Sequence, residues 1–309
     1  MGGDFAPDAV VKGVVQAIPE LDTESRVVLF GDCERIKQLL AAEGYEGDRV
    51  DIVPTTEVIT MEDHPAKAYQ AKSDSSIRVG FRYLKERKID GFASAGSTGA
   101  MMVGVTFAVG SIDKVIRPAI SAAVANATGG YTLLLDVGLN VDCKPDVLYQ
   151  YGVMGSVYAR ALWGMAHLRV GLLNIGEERS KGNLATKAAH EMMENSERFN
   201  FVGNVEGRDF FTGKKADVIV CDGFMGNVLL KAAESLRYIA KARKIDDDFL
   251  DRLNYEIMGG TPVLGINNVV IIGHGNSTVY ALKNMVLQVE KNIKSGYVKD
   301  LKKAFATFE

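Results

Sequence analysis

The stretch "YTLLLDVGLNVDCKPDVL" (131–148) decides how this chain folds. It opens on an almost wholly apolar run, the pattern of a strand covered on both faces. We place that strand over 131–138. Gly138 ends it, and Asn140 and Asp142 follow, residue types that interrupt regular structure. Pro145 suits a first helical turn, with Asp142 as the expected cap ahead of it. Val147, Leu148, Tyr151, Met154, Tyr158, Ala161 and Leu162 then share one helical face. Strand, polar exit, helix is the unit of a layered α/β protein.

The same unit recurs along the chain. Strands are expected at 26–31, 49–54, 91–95, 119–125, 169–176, 201–205, 217–223 and 268–275. A further helical face joins Val228, Leu229, Ala232, Leu236 and Ile239. The start, "MGGDFAPDAVVKGVVQAI" (1–18), is a glycine loop running into a helix whose face is Val10, Val11, Val14, Val15 and Ile18, with Pro7 in its first turn. Such a loop ordinarily follows a strand, and none precedes it in the sequence. No repeat or low-complexity linker divides the chain, so one compact domain over 1–309 is expected.

Composition narrows the function classes. The net charge of −3 argues against a protein built mainly to bind nucleic acid. Three cysteines without a paired spacing point to a reducing compartment, and four scattered histidines offer no metal-ligand pattern. No apolar run approaches the roughly eighteen residues of a membrane span, and no cleavable leader is visible. The expectation is a cytoplasmic globular protein without a metal or cofactor.

Five strand exits carry the chemistry. "SAGSTGAMM" (94–102) sets Ser94, Gly96, Ser97, Thr98 and Gly99 before an apolar helix. Its hydroxyls and amides suit a phosphate or carboxylate, and Ser97 or Thr98 equally suits a helix cap. The terminal Gly-Lys-Ser/Thr of a Walker loop is missing, as is a dinucleotide fingerprint. In "DVGLNVDCKP" (136–145), Asn140 and Lys144 are the ligand candidates. In "NIGEERSKGN" (174–183), Glu178 and Arg179 read as solvated charges, whereas Lys181 divides evenly between that role and phosphate neutralisation; Asn183 is a further phosphate-binding candidate. "CDGFMGNV" (221–228) places Asp222 and Asn227 at a helix start, and Cys221 reads as an inert strand residue rather than a nucleophile. "GHGNS" (273–277) carries His274, which serves either as an acid/base or to satisfy backbone groups.

At these same loops the chain resembles the phosphate acyltransferases of bacterial phospholipid synthesis. The resemblance rests on "MGGDFAP", "SAGSTGA", "LLLDVGLNVDCKP", "VMGSVYA", "VGLLNIGEE", "NFVGNVEGRD", "ADVIVCDGFMGNV" and "VVIIGHGNS", in order and over nearly the whole chain. It implies a three-layer α/β/α sandwich with a largely parallel sheet, related to the phosphotransacetylase and isocitrate-dehydrogenase-like fold. It also implies a homodimer, peripheral at the inner face of the membrane, that moves a long-chain acyl group from acyl carrier protein to inorganic phosphate, the acyl phosphate feeding a membrane glycerol-3-phosphate acyltransferase. For that reaction Gly2, Gly3, Ser97, Thr98 and Lys181 are expected to cradle phosphate, with Asn140 and Lys144 in support. Asn227 and the 96–99 amides are expected to stabilise an oxyanion, His274 to move a proton, and Asp4 and Asp222 to order loops. An acidic carrier calls for a basic patch, for which Lys294, Lys299, Lys302 and Lys303 are candidates. The chain departs from the family pattern twice: no strand stands before "MGGD", and no apolar helical hairpin follows the "GNVLLK" helix. Residues omitted before Met1 and near 241–246 are the expected reason. Two rivals are an NAD-dependent dehydrogenase on a related fold and a non-catalytic scaffold for carrier protein and membrane.

Overall fold

The computed structural model describes residues 1–308. Ten strands form: β1 Val27–Gly31, β2 Val50–Pro54, β3 Gly91–Ser94, β4 Ala119–Ala125, β5 Tyr131–Leu135, β6 Arg169–Leu173, β7 Asn200–Val205, β8 Val218–Val220, β9 Thr261–Leu264 and β10 Val269–Ile272. All nine expected strands are present. β9 is the exception that sequence reading passed over, because Gly259, Gly260 and Pro262 mark that stretch as a turn. The fold class is α/β, with parallel pairs predominating.

Two compact units divide the chain. The first holds Met1–Gly110, Glu256–Pro262 and Ile266–Lys294. In it β1 pairs in parallel with β2, β10 pairs in parallel with β3, and Thr261 and Pro262 pair antiparallel with β10. Helix Asp8–Ala17 turns Val11 and Val14 into a cluster with Leu21, Leu29, Ile36 and Leu40, as its spacing requires. Pro7 takes the N-cap, one position ahead of the expected first turn.

The second unit holds Ser111–Tyr255, Val263–Gly265 and the chain from Ser295 on. Its strands run β4, β5, β8, β6, β7, with β4 antiparallel to β5 and the rest parallel. Leu133, Leu134 and Leu135 of β5 have no exposed surface, and neither do Val170, Leu172, Val218 and Val220 on β6 and β8. Strands covered on both faces account for the unbroken apolar runs. Helix Pro145–Trp163 starts on Pro145 and ends at left-handed Gly164. Its N-cap is Lys144, and the expected cap Asp142 lies exposed outside the first turn, where Asp146 Oδ1 accepts from Val147 N at 2.9 Å instead. Helix Gly223–Ala242 passes through a turn at Arg243 and Lys244 directly into helix Asp248–Arg252. No helix among the described residues is long and apolar enough to cross a membrane.

Candidate active site

Strands end earlier than their apolar runs because polar side chains capture the next amides. β5 was expected to reach 138 and stops at Leu135. Asp136, with no exposed surface, accepts from Leu139 N at 3.2 Å and Asn140 N at 2.6 Å, folding the exit back on itself. It also accepts from Ile120 N at 3.0 Å and Asn140 Nδ2 at 3.2 Å. Burial pushes this carboxyl above its ordinary pKa, and the N–H donors oppose the rise. At β6, Asn174 Oδ1 takes Ile175 N at 2.9 Å while its amide donates to Lys181 O at 3.2 Å, tying the two ends of the 174–183 loop. At β8, Asp222 becomes the N-cap of helix Gly223–Ala242 by accepting from Met225 N at 2.8 Å.

In the first unit the opening loop locks onto two other strand exits. Asp4 N donates to Gly275 O at 2.8 Å, and Gly273 N donates to Ser94 O at 2.9 Å. A Cβ on Gly3 would stand 3.0 Å from Ala95 O and 3.3 Å from Gly275 O, so the three chains meet at backbone distance. Ser94 Oγ accepts from Gly96 N at 3.1 Å, and Ser97 caps the next helix by accepting from Ala100 N at 3.3 Å. β3 and β10 are parallel, so the 95–99 and 273–277 loops leave the same edge. Gly2, Gly3, Asp4, Ser94, Gly96, Ser97, Thr98, Gly99 and His274 thus belong to one unit, with Thr98 and Asp4 exposed and His274 half-buried.

The second unit carries Asn140, Lys144, Lys181, Asn183, Asp222 and Asn227. Two of its exits interlock: Gly223 N donates to Asn140 O at 2.7 Å, and a Cβ on Gly226 would fall 1.8 Å from Asp136 O. Only glycine permits that approach. Asn140 is buried, and its amide donates to Pro118 O at 2.7 Å and Tyr151 Oη at 2.8 Å as well as to Asp136. These contacts make Asn140 a frame for its loop. Asn183 is the N-cap of helix Leu184–Glu194, accepting from Thr186 N at 2.8 Å. Lys144, Lys181 and Asn227 are exposed, their side chains turned to solvent at the strand ends. Cys221, one residue past β8, is buried, and desolvation holds its thiol well above the ordinary pKa.

Of the basic patch, Lys294 pairs with Asp22 at 2.9 Å and Lys303 with Asp300 at 3.4 Å. Lys299 and Lys302 are exposed. The sequence alone assigns no role to Asp136. The signal in the sequence is an acid directly after three leucines, a position where a carboxylate must be hydrogen-bonded to be tolerated.

Parallel strands that end in hydrogen-bonded glycine loops build an α/β fold, and its likeness is to the phosphotransacetylases. A solved phosphotransacetylase from Streptococcus pyogenes superposes with a TM-score of 0.66 at 15% identity, covering 94% of this chain and 92% of its own. The chain belongs to the family described as "Fatty acid synthesis protein", whose sequence model matches residues 1–249. It is 47% identical to a phosphate acyltransferase of Syntrophomonas wolfei, over 92% of this chain and 90% of that protein. With a phosphate acyltransferase of Desulfitobacterium hafniense it shares 41% identity, over 100% of this chain and 96% of that one.

Proposed function

We propose that this enzyme moves a long-chain fatty acyl group from acyl carrier protein to inorganic phosphate, releasing acyl phosphate for phospholipid synthesis. The observation that carries the reading is the meeting of the Gly2–Asp4, Ser94–Gly99 and Gly273–Ser277 loops at backbone distance. It brings together amides and hydroxyls, the donors an oxyanion needs. The family and the name that its relatives carry support the same reading.

In the reaction, a phosphate oxygen attacks the thioester carbonyl carbon. The C–O bond forms, the C–S bond breaks, and the electron pair leaves on sulfur. The proton of hydrogen phosphate ends on the departing thiolate. Phosphate is already partly dianionic near neutrality and a thiolate leaves readily, so holding the reactants together matters more than strong acid/base help. Gly2, Gly3, Ser97 and Thr98 hold phosphate; His274 relays the proton. Lys181 and Asn227, both of the second unit, are our candidates for charge neutralisation and oxyanion stabilisation, and Asp4, Asp222, Asn140 and Asn183 shape their loops. On this reading the working unit is a homodimer, supported by Phe224, Met225, Val228, Leu236 and Ile239, apolar yet exposed on helix Gly223–Ala242.

The test is direct. Incubation with an acyl carrier protein thioester and phosphate should yield hydroxylamine-trappable acyl phosphate and free carrier thiol in equal amounts. No acyl phosphate, with carrier still bound, would favour a scaffold; a nicotinamide absorbance change would favour a dehydrogenase. Lys181→Ala and His274→Ala should each lower kcat/KM, and unchanged values in both overturn the residue assignment.

A further inference from the structure

Three glycines of the candidate site share one neighbouring segment. A Cβ on Gly2 would stand 2.7 Å from Ile59 O, one on Gly99 2.5 Å from Pro65 Cγ, and one on Gly275 would collide with Met61 Cε. These glycines belong to the three separate loops that meet at the site, and each of them touches the stretch 59–65. That stretch leads from β2 to helix Pro65–Ala71 and lies wholly in the first unit.

The segment is braced in this position. Ile59 is buried and anchors it. Asp63 closes the tip by accepting from Thr60 N at 2.7 Å. Lys72 donates to the same carboxylate at 2.5 Å and to Val58 O at 2.8 Å. Further back, Asp74 accepts from Thr56 N at 2.8 Å, and Glu57 accepts from Asp74 N at 2.8 Å. Between Thr60 and Asp63 the tip presents Met61, whose side chain rests on Gly275 and is still 46% exposed. Phe5 is 54% exposed and directly follows Asp4, whose amide donates to Gly275 O. Among the described residues of the first unit five large apolar side chains are exposed, and these two stand where the loops meet.

We propose that Met61, with Phe5 of the opening loop, is the apolar contact for the first methylenes of the acyl chain and so favours long-chain over short-chain donors; the proposal rests on the acyl-transfer reading. Reacting atoms must approach to about 3–3.5 Å, so phosphate held by these loops brings the carbonyl and the methylenes bonded to it onto the same few residues. Backbone amides recognise the phosphate, but the chain stays in water unless an apolar group covers it. An unbranched thioether with three rotatable bonds moulds itself to a flexible alkyl chain. Two side chains are too few for a subunit interface, which buries about 800 Å² per partner, and they suit a single alkyl chain.

The experiment compares Met61→Ser, Met61→Gln and Met61→Leu with the parent. Octylphosphonate and methylphosphonate, stand-ins for acyl phosphate with and without a chain, are titrated by calorimetry. The Ser and Gln variants should bind octylphosphonate about tenfold more weakly and methylphosphonate within about twofold of the parent, and the Leu variant should bind both as the parent does. Met61→Gln keeps the length of the side chain over Gly275, so its loss reports polarity rather than a displaced loop. In acyl transfer, kcat/KM of both polar variants should fall about tenfold for octanoyl and hexadecanoyl carrier thioesters alike, with KM for phosphate held. Octylphosphonate binding unchanged in both polar variants overturns the proposal. So does an equal loss for the two phosphonates, which would make Met61 a support of the phosphate loops. A parent that binds octylphosphonate yet forms no acyl phosphate overturns the acyl-transfer reading and this proposal with it. Acyl phosphate formed at parental rates by both polar variants overturns the assignment of Met61 alone.

Discussion

Asp136→Asn sets two physical effects against each other at one buried atom. Burial raises the carboxyl pKa, so desolvation alone favours the neutral amide. The hydrogen bonds argue the other way. Oδ1 accepts from Ile120 N at 3.0 Å and Leu139 N at 3.2 Å, and an amide oxygen can keep both. Oδ2 accepts from Asn140 N at 2.6 Å and Asn140 Nδ2 at 3.2 Å, and there an NH₂ group would face two donors. Turning the Asn140 amide over offers no escape, because its nitrogen also donates to Pro118 O and Tyr151 Oη. Two buried donors left unpaired cost about 1–3 kcal/mol each; relief of the carboxyl's desolvation offsets part of that, and we expect about 2–4 kcal/mol in all. That corresponds to roughly 30- to 1,000-fold faster opening at one decade per 1.4 kcal/mol.

Native-state hydrogen exchange at the Ile120, Leu139 and Asn140 amides measures it. All three should exchange faster in the variant, while β7 amides hold their rates. The pH dependence is a second readout. A folded pKa above the ordinary value of about 3.9 means that the folded state binds the proton more tightly than the unfolded one. The contribution of Asp136 to stability is then full below about 3.9 and declines as pH rises through the elevated folded value. The advantage of Asp136 over Asn should therefore be larger on the acid side of that window than at neutrality. A variant as stable as the parent at neutral pH would refute the hydrogen-bond argument and leave desolvation in command.

Gly3→Ala would press a methyl group to 3.0 Å from Ala95 O and 3.3 Å from Gly275 O, forcing the opening loop outward. We expect KM for phosphate to rise by about tenfold or more, with about 1–3 kcal/mol of strain, and an unchanged KM would remove this loop from the phosphate site. Asp217→Ala would remove the carboxylate that the Arg169 guanidinium holds at 2.8 and 3.0 Å where β6 begins, leaving its charge only the Gly213 and Lys214 carbonyls. The pair is partly buried, so about 2–3 kcal/mol should be lost and Tm should fall by about 5 °C, whereas a fall below about 1 °C would show that solvent screens it. Raising salt from about 0.05 to about 0.5 M should raise KM for the carrier thioester and leave KM for phosphate nearly constant if Lys299 and Lys302 steer docking.

The fold was legible where a single effect dominated. β4 appears over the expected residues because seven consecutive small or apolar residues, with Asn126 after them, leave one reading. β5 and β6 were drawn three residues too long for a common reason: their apolar runs outlast their ladders once Asp136 or Asn174 bends the chain. Hydropathy reports burial, and a residue can be buried in a loop. β9 failed in the opposite direction. Pro262 cannot donate to a ladder, yet the strand is only four residues long and its two halves pair with different neighbours, Thr261 and Pro262 with β10 and Val263 and Leu264 with β4.

The candidate site shows why residue type alone could not sort ligands from caps. Ser97, Asn183 and Asp222 each spend a side-chain oxygen on a helix N–H three residues on, and Asn140 is consumed by its own loop. Those bonds fix where the free groups stand. Once Asp222 caps its helix, Asn227 is held exposed on the second turn, and once Asn174 and Asn183 close their loop, Lys181 is carried on it. The polar residues of a strand exit therefore divide between those that hold the loop and those that the loop presents. A cap variant that restores its hydrogen bond, such as Asp222→Asn, should keep activity. Removing a presented group, as in Lys181→Ala, should lower activity without loosening the fold.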